Sequence, residues 1–80
     1  MTHELKTWRR YFQEVKKGVK QFETRKNDRN FKVGDLLLLK EWDNEKGKYT
    51  GDETCVQIEY ILHGGSFGIE KGYVAMSITQ

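Results

Sequence analysis

The stretch "LLLLKEW", Leu36 to Trp42, decides the fold. Four consecutive leucines can open a helix, but the Gly34-Asp35 pair before them is turn chemistry and the run is short. It therefore reads as a strand covered on both faces. Downstream, "DNEKGKYTGDE" (43–53) reads as a hairpin connection with glycines at 47 and 51. "TCVQIEYIL" (54–62) alternates, which puts Val56, Ile58, Tyr60 and Leu62 on one side of a strand. "HGGSFGIEKG" (63–72) is a glycine-rich loop, and "YVAMSI" (73–78) is a last strand with Val74, Met76 and Ile78 pointing one way.

Upstream, "HELKT" (3–7) reads as a short first strand. Thr7 is placed to cap a following helix, since its hydroxyl can accept from a free N–H of the first turn. Trp8, Tyr11, Phe12 and Val15 recur at helical spacing, which predicts a helix over about residues 8–17. Gly18 suits the left-handed position that ends it, and Lys16 and Lys17 suit the negative end of its dipole. "KQFETR" (20–25) alternates and reads as a strand, with Phe22 facing the core and Glu23 and Arg25 on the opposite face. "KNDRNFKVGD" (26–35) is turn-rich. The predicted class is α+β, mostly β: about five strands in a small barrel-like sheet with one main helix.

Eighty residues, 1–80, make one domain with a small core. Ten aromatic residues spread along the chain argue against disorder. A single cysteine, Cys55, excludes an intrachain disulfide and fits a reducing, cytoplasmic setting. Cys55, His3 and His63 are the only thiol and imidazole groups, with no paired ligand spacing, so neither a metal nor a cofactor is expected. No apolar run approaches the roughly 20 residues of a membrane helix, so no membrane partner is expected. "MTHELKTW" lacks the apolar segment of a secretory signal. Charge is lopsided. Residues 1–40 carry 11 Lys/Arg against 5 Asp/Glu, whereas residues 41–80 carry 3 against 7. A basic half is what a nucleic-acid surface needs, although interleaved charges that cancel in space would give the same composition.

"GVKQFETR", Gly18 to Arg25, resembles the G-x-K-x-x-E-x-R signature of ASCH domains, small members of the PUA-like superfamily. The likeness continues through "KNDRNFKVGDLLLLKEWD" and "YILHGGSFGIEKGYVAMSI", and the chain resembles short bacterial and phage proteins of that kind. The resemblance implies a PUA-like pseudobarrel of about five strands and an association with RNA. It also implies a cleft lined by Lys20, Glu23 and Arg25, with Lys6 close by.

Each charged residue has a plainer reading beside the functional one. Arg25 offers a planar donor fork for phosphate or a guanine edge, or a salt bridge to Glu23. Lys20 and Glu23, three apart, would lie on opposite faces of a regular strand unless the strand starts after Lys20. Lys26, Arg29 and Lys32 suit phosphates or a solvated loop. Asn27 suits a base edge or a turn, and Asp28 and Asp35 suit turns. His3 and His63 read as polar surface, Phe67 as a plug on the barrel end, and Cys55 as a buried thiol. Trp8, Phe12, Val15 and the leucines read as core, and Trp42 as core or half-buried.

The expected function is RNA binding through a basic cleft that uses Lys6, Lys20, Glu23, Arg25, Asn27 and Arg29, with RNA or a nucleotide-like ligand as partner. A second expectation follows from the resemblance. Some small ASCH proteins remove an acetyl group from modified cytidine, with a lysine, a threonine three residues on and a distal glutamate. Here Lys20 and Glu23 would be the catalytic pair. The threonine position holds Glu23, a hydroxyl comes only at Thr24, and Glu59 or Glu70 would have to supply the distal acid. A third expectation is an interaction domain without chemistry.

Overall fold

A computed structural model describes all 80 residues. The elements are β1 (Thr2–Trp8), α1 (Arg9–Lys16), β2 (Phe22–Lys26), β3 (Leu36–Asp43), β4 (Lys48–His63) and β5 (Tyr73–Thr79). The leucine run is a strand. Leu37 and Leu39 point into the core, while Leu38 and Lys40 are only half-covered on the other face.

All five strands form one sheet in the order β1-β3-β4-β5-β2. β1 runs parallel to β3, and every other pair is antiparallel. The sheet curls into a half-barrel that brings its two edge strands, β1 and β2, together. No backbone ladder joins them. Instead Arg25 Nη2 donates to the Lys6 carbonyl at 3.0 Å, and Arg29 Nη1 donates to the Glu4 carbonyl at 2.7 Å. Eleven apolar side chains fill the trough, from Leu5 on β1 to Ile78 on β5, with Phe12 and Val15 of α1 among them.

Helix α1 starts one residue later than its spacing suggests. Thr7 remains in β1, opposite Glu41, and does not cap the helix. The reason is strand alternation: Leu5 and Thr7 point inward, so Lys6 and Trp8 point outward. Trp8 is therefore half-exposed rather than core, and Tyr11 is exposed with it. At the other end Gly18 adopts φ +81° and donates to the Val15 carbonyl, closing the helix as expected.

Two strand phases differ from the alternation read in the sequence. In β4 the register shifts between Ile58 and Tyr60, so Tyr60 and Leu62 turn outward and Ile61 packs on the core. Such a bulge places one extra residue on one strand and reverses the faces beyond it. In β2 Glu23 is inward and only 3% exposed, whereas Phe22 is outward and 54% exposed. Glu23 tolerates burial because two cations flank it, as described below.

Three single residues also differ. His3 is buried, its Nε2 2.8 Å from Asp35 Oδ2 and its ring edge-on to Phe31. Cys55 is exposed on the outer face of β4. Phe67 is 88% exposed at the tip of the β4–β5 loop, so it plugs nothing. That loop is tied by backbone bonds from Gly64 to Tyr73 and from Gly65 to Ile69. A Cβ on Gly64 would lie 1.9 Å from the Glu70 carbonyl oxygen, so only glycine fits there.

Candidate functional site: a basic cleft at the barrel seam

Where β1 and β2 meet above the helix, a cleft of about 450 Å³ opens. Lys6, Lys20, Glu23 and Arg25 all line it, so the four residues singled out by the signature and by β1 converge on one concavity. Lys20 reaches it because β2 begins at Phe22, leaving Lys20 ahead of the strand and free to fold back. Its Nζ donates to Glu23 Oε1 at 2.7 Å and to the Phe22 carbonyl at 2.7 Å.

Glu23 sits between the cations. Its other oxygen, Oε2, accepts from Arg25 Nε at 3.0 Å. Arg25 Nη2 donates to Thr7 Oγ1 and to the Lys6 carbonyl, which fixes the guanidinium across the seam. A bidentate or forked use of arginine gives direction as well as charge. Nη1 makes no hydrogen bond within the protein and remains available. Three cations against one carboxylate leave the cleft with positive charge.

The rim is aromatic. Trp8, Tyr11 and Phe22 line the cleft, and each is about half-exposed. Lys20 Nζ lies 4.7 Å from the centre of the Phe22 ring, and the Arg10 guanidinium lies 5.3 Å from that of Tyr11. Thr7 and Thr24 add hydroxyls. This set can hold a planar, anionic ligand: rings to stack a flat group, and cations to meet phosphate.

The other expected site residues lie elsewhere. Asn27 Oδ1 accepts from the Phe31 N–H, and the Asn27 N–H donates to the Gly72 carbonyl; it organises a turn and does not line the cleft. Arg29 closes the seam on Glu4, outside the cleft. Glu59 is exposed at the β4 bulge and accepts from Thr79 Oγ1, while Glu70 lies in the β4–β5 loop. No group of three or more His, Cys, Asp or Glu is placed to hold a metal ion.

The aromatic rim was missed in the sequence. Trp8 shares a helical face with Phe12 and Val15, so it reads as core, and the alternation of β2 puts Phe22 toward the core as well. The usable signal was the alternation of Leu5 and Thr7 in β1, which sends Lys6 and Trp8 outward together. No helix is long and apolar enough to cross a membrane.

A family model described as a domain of unknown function, DUF3850, matches residues 2–78. The chain is also similar to a protein of Escherichia phage P2, the "Uncharacterized 12.9 kDa protein in GpA 3'region", at 47% identity over 56 residues. The matched part is 70% of this chain and 50% of that protein, so the chain spans about half the length of the curated relative it matches.

Proposed function

We propose that this chain, which belongs to the DUF3850 family, binds nucleic acid through the seam cleft, with single-stranded RNA as its ligand. One observation carries the reading: Lys6, Lys20 and Arg25, arranged around Glu23, share one cleft with three half-exposed rings. Unpaired bases stack on such rings, and their edges are open to hydrogen bonding, whereas side chains read duplex RNA poorly. The free Nη1 of Arg25 and the cleft lysines would meet phosphate or a base edge. In this reading the fold is an ASCH domain of the PUA-like superfamily, in keeping with the signature-like run Gly18–Arg25. A cytoplasmic location goes with it, since the lone exposed thiol of Cys55 suits a reducing compartment.

The test is fluorescence anisotropy with a labelled single-stranded oligoribonucleotide. Two to three phosphate contacts predict an affinity loss of about tenfold between about 50 and 200 mM salt. Arg25→Ala and Lys20→Ala, checked for fold by circular dichroism, should each weaken binding further. Affinity indifferent to salt and to both substitutions would sink the reading.

The hydrolase alternative has one observation in its favour, the 2.7 Å contact of Lys20 with Glu23 in a cleft roomy enough for a nucleoside. Against it, the position three residues after Lys20 holds Glu23 where the acetylcytidine hydrolases it resembles keep a threonine. Turnover of acetylcytidine above background, abolished by Lys20→Ala, would replace binding with catalysis as the primary activity. An interaction domain without chemistry would bind no RNA in the first assay.

A further inference from the structure

The cleft does not end at Trp8. Strand pairing sets Trp8 opposite Trp42 and Trp42 opposite Tyr49, one row across β1, β3 and β4. Directly paired residues project from the same face of a sheet, and Trp8 points outward. The row therefore lies on the outer surface. Trp8 and Tyr49 are about half-exposed, and Trp42 is half-buried. Trp42 and Tyr49 meet edge to face, with centroids 4.9 Å apart.

A second row runs beside the first. Lys6 pairs with Lys40. Lys6 Nζ lies 3.9 Å from the centre of the Trp42 ring, and Lys40 Nζ lies 5.4 Å from that of Tyr49. Lys40 also touches the Glu4 carboxylate at 3.3 Å. Lys6 has no carboxylate within salt-bridge distance; its nearest electrostatic partner is the face of an aromatic ring. Both Lys6 and Trp8 line the cleft, so the two rows are continuous with it.

We propose that a single strand of nucleic acid seated in the cleft continues over this outer face, with bases stacked on Trp42 and Tyr49. This rests on the binding function proposed for the cleft. Neighbouring strands are about 4.8 Å apart, so the row from Trp8 to Tyr49 spans about 10 Å, which is about three nucleotides at a stacked rise of about 3.4 Å. Lys6 is the exchangeable part. In the free protein its ammonium covers Trp42. A phosphate draws it off the ring, and the vacated face takes a base. Lys40 supplies the next phosphate contact.

The test compares a trinucleotide with an octanucleotide of uridine, both labelled, on the full chain. The octanucleotide should bind the wild-type protein more tightly. Tyr49→Ala should lose about tenfold on the octanucleotide and bind the trinucleotide as the wild type does. Tyr49→Phe, which keeps the ring, should match the wild type on both. An octanucleotide-to-trinucleotide ratio unchanged by Tyr49→Ala would overturn the extended surface and leave the cleft intact. Failure of the wild-type protein to bind either oligonucleotide would overturn the cleft reading and this one with it. Should Tyr49→Ala unfold, the wild-type protein decides by nuclear magnetic resonance. The Tyr49 ring protons should shift on adding the octanucleotide and stay in place with the trinucleotide. No shift with the octanucleotide would likewise overturn the extended surface.

Discussion

Two glutamates are buried to almost the same degree, Glu23 at 3% and Glu41 at 4% exposure, and they are partnered in opposite ways. Glu41, beneath α1, accepts from the Gln13 side-chain amide and the Thr50 hydroxyl. Both donors are neutral, and no cation hydrogen-bonds the carboxylate. Glu23, at the seam, accepts from Lys20 and Arg25. Its partners are charged, only partly buried, and keep donors to spare. A carboxylate with neutral donors ties a helix to a sheet. A carboxylate with surplus cations holds the lining of a cleft in shape, because it orients them without cancelling them.

The largest expected effect separates the two directly. Glu23→Gln leaves two cations at the seam without a counter-charge. It should cost about 2 kcal/mol, read as a melting temperature lower by about 10 °C. Glu41→Gln keeps the shape and loses a charge that only neutral donors surround, so it should cost less than about 1 kcal/mol. Thermal melts of the pair give the order, and a greater loss at Glu41 would break the comparison.

Next comes function without stability. Trp8→Ala removes an exposed ring from the cleft and should weaken RNA binding about tenfold. Gln13→Ala strips a donor from Glu41 and should cost about 1 kcal/mol while leaving affinity unchanged. Anisotropy and melting together check this crossing of effects.

Acid extends the comparison to the aspartates. The Asp35 carboxyl is held below its ordinary value by the hydrogen bond from His3, aided by the Lys32 N–H and opposed by burial. Asp43 is lowered chiefly by the Lys46 N–H, against burial, with help from the Glu45 N–H. A depressed folded-state value stabilises the fold at pH above the ordinary carboxylate range. That contribution is lost as pH falls through the folded-state value. Urea midpoints should therefore be insensitive to these groups near neutrality and fall below about pH 4. Asp35→Asn should flatten that acid limb, and an unaltered limb would remove Asp35 from the account.

The smallest effect belongs to the exposed Lys16–Asp52 pair at 2.6 Å. Lys16→Ala should cost no more than about 0.5 kcal/mol. A larger loss would mean that surface pairing matters more here than the buried contrast allows.

Much of the fold was legible because the strands state their phase. Val74, Met76 and Ile78 alternate cleanly, and Gly18 marks the helix end by its chemistry, whereas the four leucines of β3 declare a strand but not which face is inward. Lys20, Glu23 and Arg25 were found through a resemblance rather than through pattern. The inverted phase of β2 was hidden because hydrophobicity favours Phe22 as the inward residue. What reverses it is a pair of ion contacts, one from Lys20, ahead of the strand, and one from Arg25, whose guanidinium is also held across the seam by β1. The β4 bulge was equally silent, since a register shift depends on the partner strand. The outer row of Trp8, Trp42 and Tyr49 needed two strand pairings to be known, and no local spacing encodes them.

The arginine seam has a further consequence. A curled sheet with two edge strands offers each edge as a template on which another molecule can add a strand. Here the carbonyls of Glu4 and Lys6 are already taken by Arg29 and Arg25, and the two edges face each other. Side chains thus guard this border of the sheet against fibre growth, in place of the backbone ladder that would close a full barrel. Arg25 serves both ends: the residue that opens a donor toward the cleft also keeps neighbouring copies from zipping onto β1.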